Sequence, residues 1–153
     1  MRVDSLADLP EKIRNQAAGK ILGDAKNKYG NTPCQVRGIR FQSIKEKDRY
    51  LELMQALREG AIYDLRLQEE YILQPAYTTP EGVRIRAIKY LADFTYKVHR
   101  TEHMPMISRR DMDAWRALPE GAKVIEDAKG CRTDQYKMKR KMMANLGYEI
   151  REV

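Results

Sequence analysis

Apolar residues along this chain recur first at helical spacing, then alternate at strand spacing, then return to helical spacing. Leu9, Ile13, Ala17 and Ile21 form one stripe, and Pro10 in "LADLPEKIR" sits near its first turn, predicting an N-terminal helix within the first 30 residues. "KNKYGNTP" breaks it, and "CQVRGIRF" with Gly38 reads as a short strand or hairpin arm. Ser43 to Gly60 is the clearest helix, with Tyr50, Leu53, Met54 and Leu57 on its stripe and a terminating glycine. Three extended segments follow: "DLRLQEEYIL", then "VRIRAIKYLADFTYKV" after the Pro80 to Gly82 turn, then "KVIEDAK". A helix over Asp134 to Leu146 closes at Gly147, and "YEIREV" predicts a final strand. Between the second and third strands lies an insert, His99 to Ala122, whose "SRRDMDAWRAL" predicts a short helix begun by Ser108 and ended before Pro119. The order is helix, three strands, helix, strand, an α/β fold of the α+β kind with a mixed central sheet flanked by helices and an extra helix in front.

Length and composition fit one domain: 153 residues, 42% hydrophobic and 33% charged, can bury a real core. We read residues 1–153 as a single domain, with 1–27 an N-terminal helix, 43–153 the core and 99–122 the insert. No apolar run approaches the roughly 20 residues that span a bilayer, and the N-terminus lacks a signal-peptide centre, so a soluble, cytoplasmic protein is expected. Cys34 and Cys131 are far apart, with no second Cys or His at zinc-finger spacing, which predicts free thiols. With 29 Lys and Arg against 22 Asp and Glu, the net charge of +7 favours a polyanionic partner without identifying one.

The acids sharpen the picture. Ile88, Tyr90, Ala92, Phe94, Tyr96 and Val98 share one face of the second strand, leaving Asp93 on the other, where burial is costly unless it is paired or binds metal. In "KVIEDAK", Asp127 and Lys129 project from one face and Glu126 from the opposite one. If these strands are antiparallel neighbours, Asp93 and Asp127 lie side by side with Lys129 next to them. Glu46 heads the sheet-facing stripe of the Ser43 to Gly60 helix and offers a third carboxylate. Ser43 and Glu46 also spell S-x-x-E, a capping box in which the glutamate would bond back to the Ser43 N–H. Two or three carboxylates around magnesium can activate a water and stabilise the charge of phosphodiester hydrolysis, with Lys129 supplying a cation at the scissile phosphate.

In "KYGNTP", "GIRFQSIKEKDRYLEL", "LQPAY", "IRAIKYLADFTY", "EDAKG" and "TDQYKMKRK", the chain resembles the PD-(D/E)XK nuclease superfamily, and within it a group of small bacteriophage and prophage endonuclease-like proteins. The resemblance implies a restriction-endonuclease-like αβββαβ core and a Mg2+-dependent endodeoxyribonuclease, Mn2+ substituting. It assigns Glu46 to the acid of the first helix, Asp93 to the first strand acid, and Asp127 with Lys129 to the (D/E)-x-K pair. Ala128 between them is counted with the metal ligands Glu46, Asp93 and Asp127. Gln135 and Lys139 share a face of the following helix, and Lys139 is favoured as a further catalytic side chain. The chain departs from the superfamily by Ala92 in place of proline before Asp93, and by its long insert. Arg109, Arg110, Trp115 and Arg116 in the insert can be read as DNA contacts or as a packing helix. Layout and charge are similar to those of dimeric junction resolvases, implying a homodimer on branched DNA in phage recombination or packaging. A nonspecific or nicking endonuclease and a non-catalytic DNA-binding module are the alternatives.

"HRTEH", His99 to His103, matches H-x-x-E-H, a zinc-peptidase pattern. It follows a strand directly and runs into "MPM", so no helix has room to align the histidines. No third histidine exists to complete a site.

Overall fold

A computed structural model describes residues 33–99, 108–128 and 132–153. The N-terminal helix expected over 1–27 lies outside the described residues, as do Lys129 and Cys131. The first described element is a hairpin of β1 (Cys34–Val36) and β2 (Ile39–Phe41), paired Val36 to Ile39. Its loop residues Arg37 and Gly38 have φ of 51° and 81°, the paired positive values of a type I′ turn, whose twist matches that of the flanking strands. Ile39 and Phe41 point inward and close one end of the core.

Helix α1 (Ile44–Arg58) starts where Ser43 Oγ accepts the Glu46 N–H at 3.1 Å, and Gly60, at φ 72°, follows its end. Its buried face is Glu46, Arg49, Tyr50, Leu53 and Ala56, with Met54 and Leu57 only partly covered. The apolar stripe alone therefore misplaces the helix. Two charged residues lie in the inward face, and the helix is rotated to bring them there.

The main sheet runs β3 (Ile62–Gln74), β6 (Ile88–Val98), β7 (Lys123–Asp127), β8 (Ile150–Glu152), antiparallel except for the parallel β7–β8 pair. A two-stranded arm of β4 (Tyr77–Thr78) and β5 (Arg84–Ile85) joins β3 to β6. The strand expected as one run from Val83 to Val98 is thus two, interrupted at Arg86 and Ala87. A bulge at Asp64, φ 54°, shifts the β3–β6 register between Tyr63 and Arg66. The insert spans the residues between β6 and β7 and carries α2 (Arg109–Arg116), capped by Ser108. Helix α3 (Asp134–Asn145) is capped by Thr133, ends before Gly147 at φ 84°, and leads into β8.

Neighbouring residues of β7 divide two cores. Val124 joins Phe94, Tyr96 and Val98 under α1, together with Trp115 of α2. Ile125 joins Tyr90, Ala92 and Ile150 under Tyr136 and Met143 of α3. Because strand side chains alternate, α1 and α3 cover opposite faces of the sheet. The inward stripe of β6 passes from one core to the other at Asp93, a division the simple alternation did not foretell. Opposite Asp93, between the Leu67–Phe94 and Glu69–Ala92 pairs, Gln68 has φ 51°.

A buried arginine ties the α1 layer together. Arg49 forks onto Glu126 through Nε and Nη2, both at 2.8 Å, and onto Asp111 through Nη1 at 2.7 Å and Nη2 at 3.0 Å. Arg151 of β8 reaches the same two carboxylates at 3.2 and 2.6 Å. Tyr96 donates to Glu126 at 2.5 Å and accepts from Trp115 Nε1 at 3.0 Å. Burial opposes the charge on Arg49, yet its bonds to Glu126 and Asp111 outweigh that and hold it protonated. Against burial, the same guanidinium keeps the Asp111 carboxyl below its ordinary range. The network welds α1, α2, β6, β7 and β8.

Removing one partner from such a cluster strands the others in low dielectric. Arg49→Met is expected to lower stability by about 3–5 kcal/mol in equilibrium denaturation; a loss below about 1 kcal/mol would show that solvent relaxes the cluster. Acid should act on two depressed carboxyls, Asp111 and Glu69. Burial pushes Glu69 up, but Lys123 at 2.7 Å and the Tyr71 hydroxyl at 2.9 Å bring it down to about 2. Because folding depresses the pKa, this stability is complete above the ordinary value of 4.5 and is lost as pH falls toward about 2. Melting temperature is therefore expected to fall across that window, and less steeply in Glu69→Gln.

Candidate functional site

The β6–β7 ladder ends at the Phe94–Glu126 pair, and one residue further along each strand are Asp93 and Asp127. The two acids thus occupy facing positions where the strands part, as their places in the sequence predicted. Asp93 Oδ2 accepts the backbone N–H of Ala128 at 2.8 Å, so the β6 carboxylate is pinned to the residue following Asp127. Asp127 is fully buried and its Oδ2 accepts from Tyr90 at 2.7 Å. Burial, with Asp127 beside it, pushes the Tyr90 phenol well above its ordinary range, so it stays protonated and donates. Tyr136, on the α3 layer, is raised by burial and then by the charges of Asp127 and Glu152.

Glu126 and Asp127 are adjacent in sequence and opposite in role. Glu126 faces α1 and is fully engaged by Arg49, Arg151 and Tyr96. Asp127 faces the tyrosine-lined α3 layer. The alternation that separated them in the sequence therefore holds in the fold.

Glu46 behaves differently from the expected capping box. Its Oε2 accepts the N–H of Gln42 at 2.9 Å, one residue before the predicted Ser43 N–H, while Ser43 caps Glu46 in the usual direction. It stands on the helix that covers the Glu126 face, and among the described residues no three His, Cys, Asp or Glu side chains gather as a metal-ligand group. Asp93 and Asp127 are brought together, and Glu46 is not gathered with them.

On α3, Tyr136 and Met143 point inward; Lys139, three residues on from Tyr136, is half-buried on the flank of that face, and Gln135 is exposed. In the insert, Arg109, Arg110 and Arg116 are exposed, and Arg110 reaches the Glu152 carbonyl at 3.3 Å. Trp115 is a core residue, not a nucleic-acid contact: it is 2% exposed and packs edge-on against Tyr96 at 5.6 Å. The amphipathic spacing of Asp111 and Trp115, four apart, signals a packing helix. His99 pairs with Glu120 at 2.9 Å and lies against Tyr63, while Glu102 and His103 lie outside the described residues. Sequence reasoning missed Arg49, whose only signal was its place three residues after Glu46 on the inward face. Cys34 is a free, half-buried thiol donating to the Ser43 carbonyl.

Fold and site together define a mixed α/β protein with paired acids at the point where two central strands separate. The chain belongs to the family described as "Protein of unknown function (DUF1064)", whose model matches residues 26–113, more than half its length. That match takes in Glu46, Arg49, Asp93 and Asp111 and stops before Asp127. No curated protein and no solved structure matches. No helix among the described residues is long and apolar enough to cross a membrane.

Glu46→Ala is expected to lower stability by on the order of 1 kcal/mol, as loss of a cap does, and Glu46→Gln by much less, because an amide oxygen still accepts the Gln42 N–H. Thermal unfolding of the two variants decides this; equal losses would remove the cap.

Proposed function

We propose that this chain is a metal-dependent endonuclease of the PD-(D/E)XK kind that hydrolyses DNA phosphodiester bonds. The observation that carries the reading is the bond from the Ala128 N–H to Asp93, which fixes the first strand acid at the start of the D-x-K segment. The element order supports it: a helix, an antiparallel three-stranded meander, a helix and a parallel edge strand stand in the order that the resemblance implies.

The donor set fits a hard divalent cation. Asp93 and Asp127 offer carboxylate oxygens, one of the first accepting a main-chain N–H and one of the second a phenol O–H. Magnesium, with manganese as a substitute, would be held by these two acids and the main chain of Ala128; Glu46, which the resemblance also assigns, is not gathered with them. When bound, the metal supplies Lewis-acid stabilisation of the phosphate and a more acidic water. The chain's own residues orient the site. Tyr90 fixes one oxygen of Asp127, leaving the carboxylate little rotational freedom. Lys129, next in the D-x-K segment, would place a cation at the scissile phosphate, and Lys139 on α3 is the further candidate for that charge. The net charge of +7 favours attraction of a polyanion.

We place branched DNA, recognised through its backbone charge and shape and cut by a homodimer, first among substrates, as the likeness to dimeric junction resolvases implies. A nonspecific or nicking enzyme of the same fold is the second reading. Cleavage of junction, flap, nicked and linear duplex DNA in magnesium tests both.

Asp93→Asn, Asp127→Asn and Lys129→Ala are each expected to reduce cleavage by at least about 100-fold, while duplex affinity in calcium stays within a few-fold. Tyr90→Phe should lower cleavage by less and lower stability by about 1.5–3 kcal/mol, the contribution of a hydrogen bond to a charged acceptor. Undiminished cleavage in excess EDTA would end the nuclease reading.

A further inference from the structure

The arm between β3 and β6 has no part in the site described above. Its strands β4 and β5 pair Tyr77 with Ile85 and Thr78 with Arg84, and Thr79 closes the tip by accepting from Gly82 at 2.9 Å. It stands clear of both cores. Tyr77 and Val83 are 51% and 57% exposed, as are Ile72 and Leu91, 57% and 49%, where the β3–β6 ribbon leads into it.

The arm and its root are basic on one side. Arg84 and Arg86, two apart and both exposed, line a shallow cavity of about 490 Å³ floored by Ala76 and Ala87. Among the described residues neither guanidinium has a carboxylate partner. The next cation, Lys89, is by contrast neutralised by Glu70 at 2.9 Å, and Glu81 at the tip is engaged by Thr79 and its own backbone. Two planar donors over an alanine floor offer paired N–H groups and little competing acid. That suits phosphate oxygens spaced along a backbone.

Position ties the cavity to the acids. Arg86 precedes β6 by two residues and Asp93 by seven, so the chain between them spans at most about 23–25 Å at roughly 3.3–3.6 Å per residue. One DNA strand carries a phosphate roughly every 3.4 Å of helix axis, so at most about seven base pairs separate the two points, within one turn of roughly 10 base pairs. A single duplex can reach both.

We propose that the β4–β5 arm is a DNA-backbone clamp in which Arg84 and Arg86 hold phosphates within one helical turn of the acids at Asp93 and Asp127. This rests on the nuclease reading for the identity of the polyanion and assigns binding to a surface distinct from the exposed arginines of the insert.

The full-length parent, a double variant carrying Arg84→Ala with Arg86→Ala, and a charge-keeping double variant carrying Arg84→Lys with Arg86→Lys would be titrated with a labelled duplex in calcium across a salt series. Both positions are exposed, and circular dichroism would check that folding is retained. The alanine pair should bind at least about 10-fold more weakly, with the slope of log affinity against log salt smaller by about 2, since each neutralised phosphate contributes about 0.9. The lysine pair should keep most of the slope. Unchanged affinity and slope in the alanine pair overturn the clamp even if the parent cleaves DNA. Loss of affinity in the alanine pair with no cleavage by the parent in magnesium or manganese upholds the clamp and removes the nuclease. A parent that does not bind DNA overturns both.

Discussion

Arg49 is the residue on which the geometry depends. A guanidinium 7% exposed in its side chain, forked onto two carboxylates, is stable only while all three groups keep their places. Those carboxylates come from α2 and β7, 62 and 77 residues further along the chain. The register of β7 against β6, and hence the position of Asp127 opposite Asp93, is therefore fixed from outside the site. Glu126 cannot slip by one residue without placing a charge in the α3 core and Asp127 under α1.

On the function we propose, this arrangement separates stability from chemistry along a single strand. Glu126 commits both oxygens to the fold, Oε2 to Arg49 and Oε1 to Arg49, Arg151 and Tyr96. Asp127, one residue on, is held by a phenol and lies where the strands diverge. The insert contributes to the first function through Asp111 and Trp115, so its helix buttresses the sheet rather than offering Trp115 to a nucleic acid.

Much of the order of elements was legible because it depends on local periodicity and caps. Ser43, Ser108 and the glycines at 60 and 147 mark helix ends where the sequence placed them, and strand alternation separated Glu126 from Asp127 correctly. What escaped was non-local. No local pattern singles out Arg49, because its partners lie in distant elements, and with Arg49 buried α1 is turned away from its apolar stripe. The hand-over of β6 from one core to the other at Asp93 likewise reflects packing by both helices, which period-two alternation does not contain. Glu46 capped the neighbouring amide to the one predicted, a difference set by the chain path from β2 into α1.

We propose that the two neighbouring acids of β7 do different work, Glu126 holding the fold and Asp127 holding a divalent cation. A thermal unfolding series with manganese, on the parent, Glu126→Gln and Asp127→Asn, addresses it directly, because a ligand that binds only the native state raises the melting temperature with concentration. The account predicts that Glu126→Gln melts lower than the parent yet keeps the manganese-induced rise, whereas Asp127→Asn loses the rise. A rise that persists undiminished in Asp127→Asn, or disappears in Glu126→Gln while the protein remains folded, would contradict it.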